Sequence, residues 1–383
     1  MNQRYIHWFE AKQLDRVTNF SSRIEVLKLA DRIGAPARYY CTFKYSKKTF
    51  GMDNQIEYLG RFKNRYLRTI SFHFSVFWRS LLIAGTKGNT IIVNPDLIIN
   101  VLPAVFVSKF LGKSNKFIVD IRTTPTDPES FQSDMEMFHR KFKYAVKFFD
   151  GFSFITPFMQ KYVMGRYRKK INAINWSSGV NIDLFRLNDV SSIETGEEFK
   201  VFYHGGISLS RGSLDLIKAC ERLHREGLSI SLKQVGVVVD EAIIKYIEEN
   251  KIGNWCKILP PVPLEEIPSL IESCDLPVLP FPNFMAWRVS SPIKLMEYLA
   301  MGKKVLAPKI EAFTDVFANN DHLVFYYENT DVENVASLEG AIRKIIKGRL
   351  LETHSPCDAR DFVSKNYTWK KQAERFISFC RAI

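Results

Sequence analysis

The stretch VSSPIKLMEYLAMGKKVLAP, residues 289–308, decides how this 383-residue chain is read. It carries the marks of a helix leading into a strand. Ser290 or Ser291 stands where a cap is expected, Pro292 suits the first turn, and Gly302 ends the helical run over 294–301. A helix N-terminus offers unpaired N–H groups and a partial positive charge, which suits a phosphate. Lys294 adds a full charge in the first turn. Glu297 follows three residues on, roughly on the same face. A carboxylate so placed accepts both hydroxyls of a ribose. The same residues also describe a capped helix with a surface ion pair.

Working outward, strands alternate with helices on both sides. Residues 199–204, 228–235, 256–259, 276–279, 305–307 and 322–326 read as strands, and 214–223, 241–249 and 264–273 as helices. Strands alternating with helical runs predict βαβ units and a parallel, doubly wound sheet, with its ligand beyond the C-terminal strand ends. The first half gives a similar pattern. Residues 37–42, 90–93, 116–121 and 152–155 read as strands, and 24–33, 103–111 and 138–148 as helices. A single core rarely grows past ~250–300 residues, so two α/β domains in tandem are expected. The polar segment NAINWSSGVNIDLFRLN, residues 172–188, is the expected hinge, and 369–382 has the spacing of a closing helix.

Two further stretches carry chemistry. In FKVFYHGGISLSRG, residues 199–212, a strand runs into Gly205 and Gly206 and then a loop with Ser208, Ser210 and Arg211. Glycines let a ligand approach the backbone, and an arginine clamps phosphate through paired hydrogen bonds. An ordinary strand–helix turn reads the same way. His204, beside Gly205, stands where a crevice residue would. In FIVDIRTTPTDP, residues 117–128, Asp120 and Arg122 close a β-type run. Asp120 there orients or deprotonates an attacking hydroxyl, or else pairs with Arg122 to fix the loop. The seven histidines form no i, i+4 pair, and no DxD, GxSxG or Walker loop is present. No metal and no cofactor are expected.

The six cysteines form no CxxC pair and read as reduced thiols of a cytoplasmic protein. The N-terminus is charged too early for a signal peptide. Residues 91–107 come nearest a membrane span, but Asn94, Pro95, Asp96, Asn100 and Pro103 interrupt them. The net charge of +13 is uneven: residues 1–180 hold 29 Lys and Arg against 13 Asp and Glu, a balance of +16, and the remainder carries −3. Basic and aromatic residues interleave over 61–79 and 161–170, and 70–84 is either a buried helix or one lying on a membrane surface. Such charge fits an anionic membrane surface, an acceptor pyrophosphate or nucleic acid. No RNP-like, zinc or helix-turn-helix signature accompanies it, so no nucleic acid partner is expected.

Taken together and in this order, the stretches resemble the retaining nucleotide-sugar glycosyltransferases of GT-B architecture, in particular the bacterial cell-surface polysaccharide transferases known as glycosyl transferases group 1, family 4. YHGGISLSRG resembles their second-domain opening, SSPIKLMEYLAMGKKVLAP their donor helix, SGVNIDLF their hinge, and NYTWKKQAERF their closing helix. The resemblance covers residues 175–383 and fades in the first half. It implies two Rossmann-like domains facing a cleft: an acceptor domain over 1–176, a donor domain over 177–366, and a helix over 367–383 returning to the first. Glu297 would hold the donor ribose. Arg211 and Lys294 would bind its diphosphate, helped by backbone around Ser290, Ser291, Gly205 and Gly206. Asp120 and Arg122 would lie on the acceptor side, and Asp120, Arg211, Lys294 and Glu297 would carry catalysis.

The implied reaction is retaining, metal-independent transfer to a lipid-linked or growing surface glycan, with closure about the hinge excluding water. The expected location is the cytoplasm, peripheral on the inner membrane face. Two departures from the family pattern stand out. Val289 occupies the place of a second glutamate, and Gly206 that of an arginine. They leave open a nucleotide-sugar-binding scaffold without turnover. A GT-B sugar-nucleotide epimerase is the other alternative.

Overall fold

The computed structural model describes residues 5–11, 20–42, 53–187, 198–317, 320–329 and 334–383. Asn188, the last residue of the expected hinge, lies outside them. The chain divides into two compact units, Met1–Ser178 with Trp369–Ile383, and Gly179–Thr368.

The first unit runs β1 (Tyr5–Phe9), α1 (Phe20–Arg32), β2 (Ala37–Thr42), β3 (Ile56–Leu59), α2 (Arg65–Ala84), β4 (Asn89–Val93), α3 (Ile98–Phe110), β5 (Lys116–Ile121), α4 (Phe131–Phe148), β6 (Gly151–Phe154), α5 (Pro157–Met164) and β7 (Ala173–Asn175). Among the described residues its seven strands pair in parallel in the order β3-β2-β1-β4-β5-β6-β7. The order reverses between β1 and β4. Strands β4 and β5 are covered on both faces, which is why they read as nearly continuous apolar runs. Central strand β1, YIHWF, escapes that pattern because His7 interrupts it. Burial lowers the His7 imidazole to about 4, so it is neutral at ordinary pH, and Nδ1 pairs with the Tyr40 hydroxyl at 2.9 Å.

Helix α2 begins five residues before the apolar run that announces it. The Asn64 side chain caps it, accepting from the N–H groups of Tyr66 and Leu67. The interrupted stretch 91–107 is the end of β4 and most of α3, with Pro103 inside the helix. Among the described residues no helix is long and apolar enough to cross a membrane. The terminal helix, Trp369–Ala382, completes the core of this unit. Phe376 stacks on Trp176 at 4.7 Å and meets Trp8 at 5.2 Å between ring centres. The Ser177 N–H donates to Gln372 Oε1 at 2.8 Å.

The second unit runs β8 (Phe199–His204), α6 (Ser213–Arg225), β9 (Ile230–Val235), α7 (Ala242–Glu249), β10 (Cys256–Leu259), α8 (Ile267–Glu272), β11 (Leu276–Pro277), α9 (Met285–Arg288), α10 (Ile293–Ala300), β12 (Val305–Pro308), α11 (Glu311–Phe317), β13 (Val324–Tyr327), α12 (Asn334–Lys347) and α13 (Pro356–Asn366). Four parallel strands lie in the order β10-β9-β8-β11. A bridge from Val278 to Leu306 joins them to the parallel pair β12-β13. The order reverses between β8 and β11. The Arg360 guanidinium donates to the carbonyls of Ile182, Phe185 and Ala300 at 2.6–3.0 Å, tying the entry of the unit to the end of α10.

Candidate functional site

Strand β8 ends at His204, and its ladder continues one residue further, with the Gly205 N–H donating to the Val235 carbonyl at 2.8 Å. Gly205 has φ +125° and Gly236, at the end of β9, has φ +150°. A side chain on Gly236 would overlap the Gly205 carbonyl, and one on Gly205 would overlap the Lys294 side chain. Both glycines therefore serve close approach: backbone to backbone between two strand ends, and Lys294 across the top of one of them.

Lys294 reaches this spot from the first turn of α10. Its Nζ lies 5.5 Å and 5.7 Å from the ring centres of Tyr203 and Phe281. Burial, and then the charge of Arg211, lower the Lys294 ammonium to about 7, against the opposing pull of Glu297. No carboxylate lies within ion-pairing distance, 4.0 Å, of Lys294 or Arg211 among the described residues. Arg211 closes the 3-10 turn Leu209–Arg211, with its guanidinium 5.2 Å from the Trp287 ring. The Trp287 indole N–H fixes that turn by donating to the Ser210 carbonyl at 2.8 Å.

Glu297 is buried, and its Oε2 lies 2.8 Å from His204 Nε2. His204, singled out in the sequence only by its place beside Gly205, thus joins the group through a partner 93 positions away. Val289 is fully buried and contributes no polar group. Of the two serines expected at the start of α10, Ser290 is turned away from the helix. Pro292 is the N-cap, and the Ser290 hydroxyl instead donates to the Trp287 carbonyl at 2.7 Å, because α9 ends immediately before it. Ser291 is buried at the same junction. Gly302 stops the helix with φ +69°. A Cβ on Gly206 would meet Arg211 only at ordinary contact distance.

The first unit has its own concavity, of about 320 Å³, beyond the ends of β1, β4 and β5. Glu10, Arg23, Asn94, Asp120, Arg122 and Thr124 are among its lining residues. Asp120 does not pair with Arg122. Its Oδ1 accepts from Ser153 at 2.6 Å, and its Oδ2 lies 3.4 Å from Arg23, which also pairs with Glu10 at 3.2 Å. Arg122 donates to the carbonyls of Trp176 and Ser177 and stacks 3.8 Å above the Trp176 ring. Burial lowers its guanidinium to about 9. Asp120 and Arg122 therefore share a wall of the concavity while facing separate partners from distant parts of the chain. No group of three or more His, Cys, Asp or Glu side chains suited to a metal occurs among the described residues.

Residues 186–360 match the family model described as Glycosyl transferases group 1, and with that domain the chain is a glycosyltransferase. No curated protein matches the chain. Solved structures resemble it over its full length. A glycosyltransferase from Rickettsia africae ESF-5 superposes with a TM-score of 0.72 at 16% identity, covering 100% of this chain and 99% of the other. HepE from Anabaena, solved with UDP and glucose, gives 0.74 at 14% identity, covering 99% and 100%. The lipopolysaccharide outer core galactosyltransferase WaaB gives 0.72 at 12% identity, covering 99% of each chain. These likenesses show that the fold is GT-B.

The steric account of the strand ends is testable. Gly236→Ala is expected to destabilise the protein by about 2–4 kcal/mol, the range of backbone overlap and positive-φ strain combined. Gly206→Ala should stay within about 0.5 kcal/mol. Denaturant unfolding distinguishes them, and equal effects would contradict the close approach.

Proposed function

We propose that the glycosyltransferase domain at residues 186–360 takes a nucleotide-sugar donor at the reversal between β8 and β11, and that the sugar passes to a hydroxyl of a lipid-linked or surface glycan. The observation that carries this reading is the pair of cations at the strand ends, Arg211 and Lys294. Among the described residues neither has a carboxylate within 4.0 Å, and they lie close enough for Arg211 to depress the Lys294 ammonium. A half-buried cation pair of this kind is completed by an anion, and a nucleoside diphosphate supplies one. HepE is a fold neighbour solved with UDP-glucose, which supports a donor of the same class here.

In the proposed reaction the C1–O bond to the diphosphate breaks while the acceptor oxygen bonds to C1 on the same face. The acceptor proton passes to the departing phosphate, so the configuration at C1 is retained. Arg211, Lys294 and the first N–H groups of α10 stabilise the charge that develops on the leaving group, in place of a metal ion. Glu297 accepts the ribose hydroxyls. The acceptor lies in the first-unit concavity, where the mixture of Glu10, Asn94, Arg23 and Thr124 suits a polyhydroxylated ring. Asp120, held by Ser153 and Arg23, orients that wall rather than receiving the proton.

The acceptor's location accounts for the exposed face of α2. Tyr66, Ile70, Phe74, Trp78 and Leu82 recur every four residues on the exposed side of the helix, with Tyr66 78% and Phe74 65% exposed. Phe72, Val76 and Ile83 face the core. Neighbouring α3 adds Phe106 and Phe110, the latter 90% exposed, and His73 of α2 pairs with Asn100 of α3 at 3.1 Å. Exposed Arg61, Lys63 and Arg65 lie at the start of α2. An apolar helix face with a basic end suits an anionic bilayer surface. On this reading the protein works peripherally on the cytoplasmic membrane face, and the exposed face of α2 supports it.

Glu297→Ala is expected to lower transfer at least ~100-fold, using whichever UDP-, GDP-, dTDP- or CDP-sugar supports turnover in the native protein. Unchanged turnover would remove Glu297 from the site. Native protein should bind anionic vesicles, with affinity falling as salt rises, and Phe74→Glu should weaken that binding. Vesicle binding indifferent to both salt and Phe74→Glu would contradict the membrane assignment. Concentration-dependent dimerisation abolished by the same substitution would assign the face to a second copy.

A further inference from the structure

The environment of Glu297 goes beyond a carboxylate on a helix. The Tyr298 hydroxyl lies 3.2 Å from the His204 backbone nitrogen and 3.0 Å from His204 Nδ1. Towards the backbone N–H the hydroxyl can only accept. Its single proton is then free for Nδ1. With Nδ1 accepting, the imidazole carries its proton on Nε2, which faces Glu297 Oε2 at 2.8 Å. The chain of donation therefore runs from the Tyr298 hydroxyl to the His204 ring to the Glu297 carboxylate. Tyr298 is fully buried, His204 is 9% exposed and Glu297 7%, and the Phe202 ring stacks on the imidazole at 5.8 Å. An ionised carboxylate can only accept, so Nε2 carries a proton towards Glu297.

Resting on the donor-site reading above, we propose that His204 is the positioning residue for Glu297. It holds one carboxylate oxygen, leaves Oε1 turned to the ligand, and keeps the carboxylate away from Lys294. Lys294 stands one turn earlier on α10, at the i, i+3 spacing that favours an ion pair, yet no such pair is formed. Were Glu297 released from His204, it would swing towards Lys294 and neutralise the cation that receives the diphosphate. His204 thus keeps apart two opposite charges that the helix alone would bring together. Both are then available to the ligand, one for hydroxyls and one for phosphate.

The test reads nucleotide affinity by calorimetry, with whichever of UDP, GDP, dTDP and CDP the native protein binds most tightly. His204→Phe keeps the ring stacking and removes both nitrogens, and is expected to weaken binding about tenfold, the scale of a lost hydrogen bond to a charged group. His204→Gln, whose amide N–H reaches towards Glu297, should recover most of the affinity. On a Glu297→Ala background, His204→Phe should cost nothing further, because the residue acts through the carboxylate. An unfolding midpoint for each variant separates this effect from a loss of stability. Native binding that His204→Phe leaves unchanged, while Glu297→Ala weakens it, would overturn the positioning role and leave the donor reading intact. An equal loss on both backgrounds would also overturn it. No binding of any of the four nucleotides by the native protein would overturn the donor reading itself, and this proposal with it.

Discussion

A parallel sheet sends every strand's C-terminal end to one edge, and where the strand order reverses, the chain leaves in opposite directions and opens a gap. Both units are organised by that constraint. In the first, the reversal between β1 and β4 is flanked by Glu10 and Asn94, and the concavity opens there. In the second, the reversal between β8 and β11 is where Gly205 and Gly236 bring two backbones together and Lys294 crosses over them. The functional groups are carried by residues just past strand ends and by the start of α10. A change in register or a side chain on either glycine would displace all of them at once.

The helix that opened the sequence reading illustrates what was legible and what was not. Lys294, Glu297 and Gly302 could be placed because their positions follow from spacing on one helix and its end. Ser290 could not, since its hydroxyl is drawn to the Trp287 carbonyl by a short helix that leaves little trace in the sequence. His204 was visible as a residue beside a glycine. Its hydrogen-bond partners lie 93 and 94 positions away, which no local pattern encodes. Asp120 and Arg122, two residues apart on paper, face Arg23 and the carbonyls after β7 respectively. Their apparent pairing was a feature of the sequence and not of the fold. Strand β1 went unread because His7 breaks its apolar run, and the burial that makes His7 acceptable there depends on its neighbours Tyr5 and Tyr40.

The uneven charge also changes meaning once the fold is known. Within the first 180 residues Arg23 is matched internally by Glu10 and Asp120, and Arg122, part of the positive excess, is held on backbone carbonyls. Another part is displayed at the start of α2, next to its exposed apolar stripe. The second unit, residues 179–368, holds 21 Lys and Arg against 27 Asp and Glu, a balance of −6, so the proposed donor site there rests on two placed cations, Arg211 and Lys294. Net charge distinguishes neither use. Burial and partners do.

The central claim is that the strand ends of the second unit are built for a nucleoside diphosphate. It is tested most directly by thermal unfolding of the native protein with UDP-, GDP-, dTDP- and CDP-sugars, since a ligand bound only by the native state raises its stability. At least one is expected to raise the unfolding temperature. The rise should be larger at pH 6 than at pH 9, because Lys294 titrates near 7 and binds the anion as the protonated amine. It should be lost in Lys294→Met. No rise with any of the four, or an equal rise in Lys294→Met, would contradict the account.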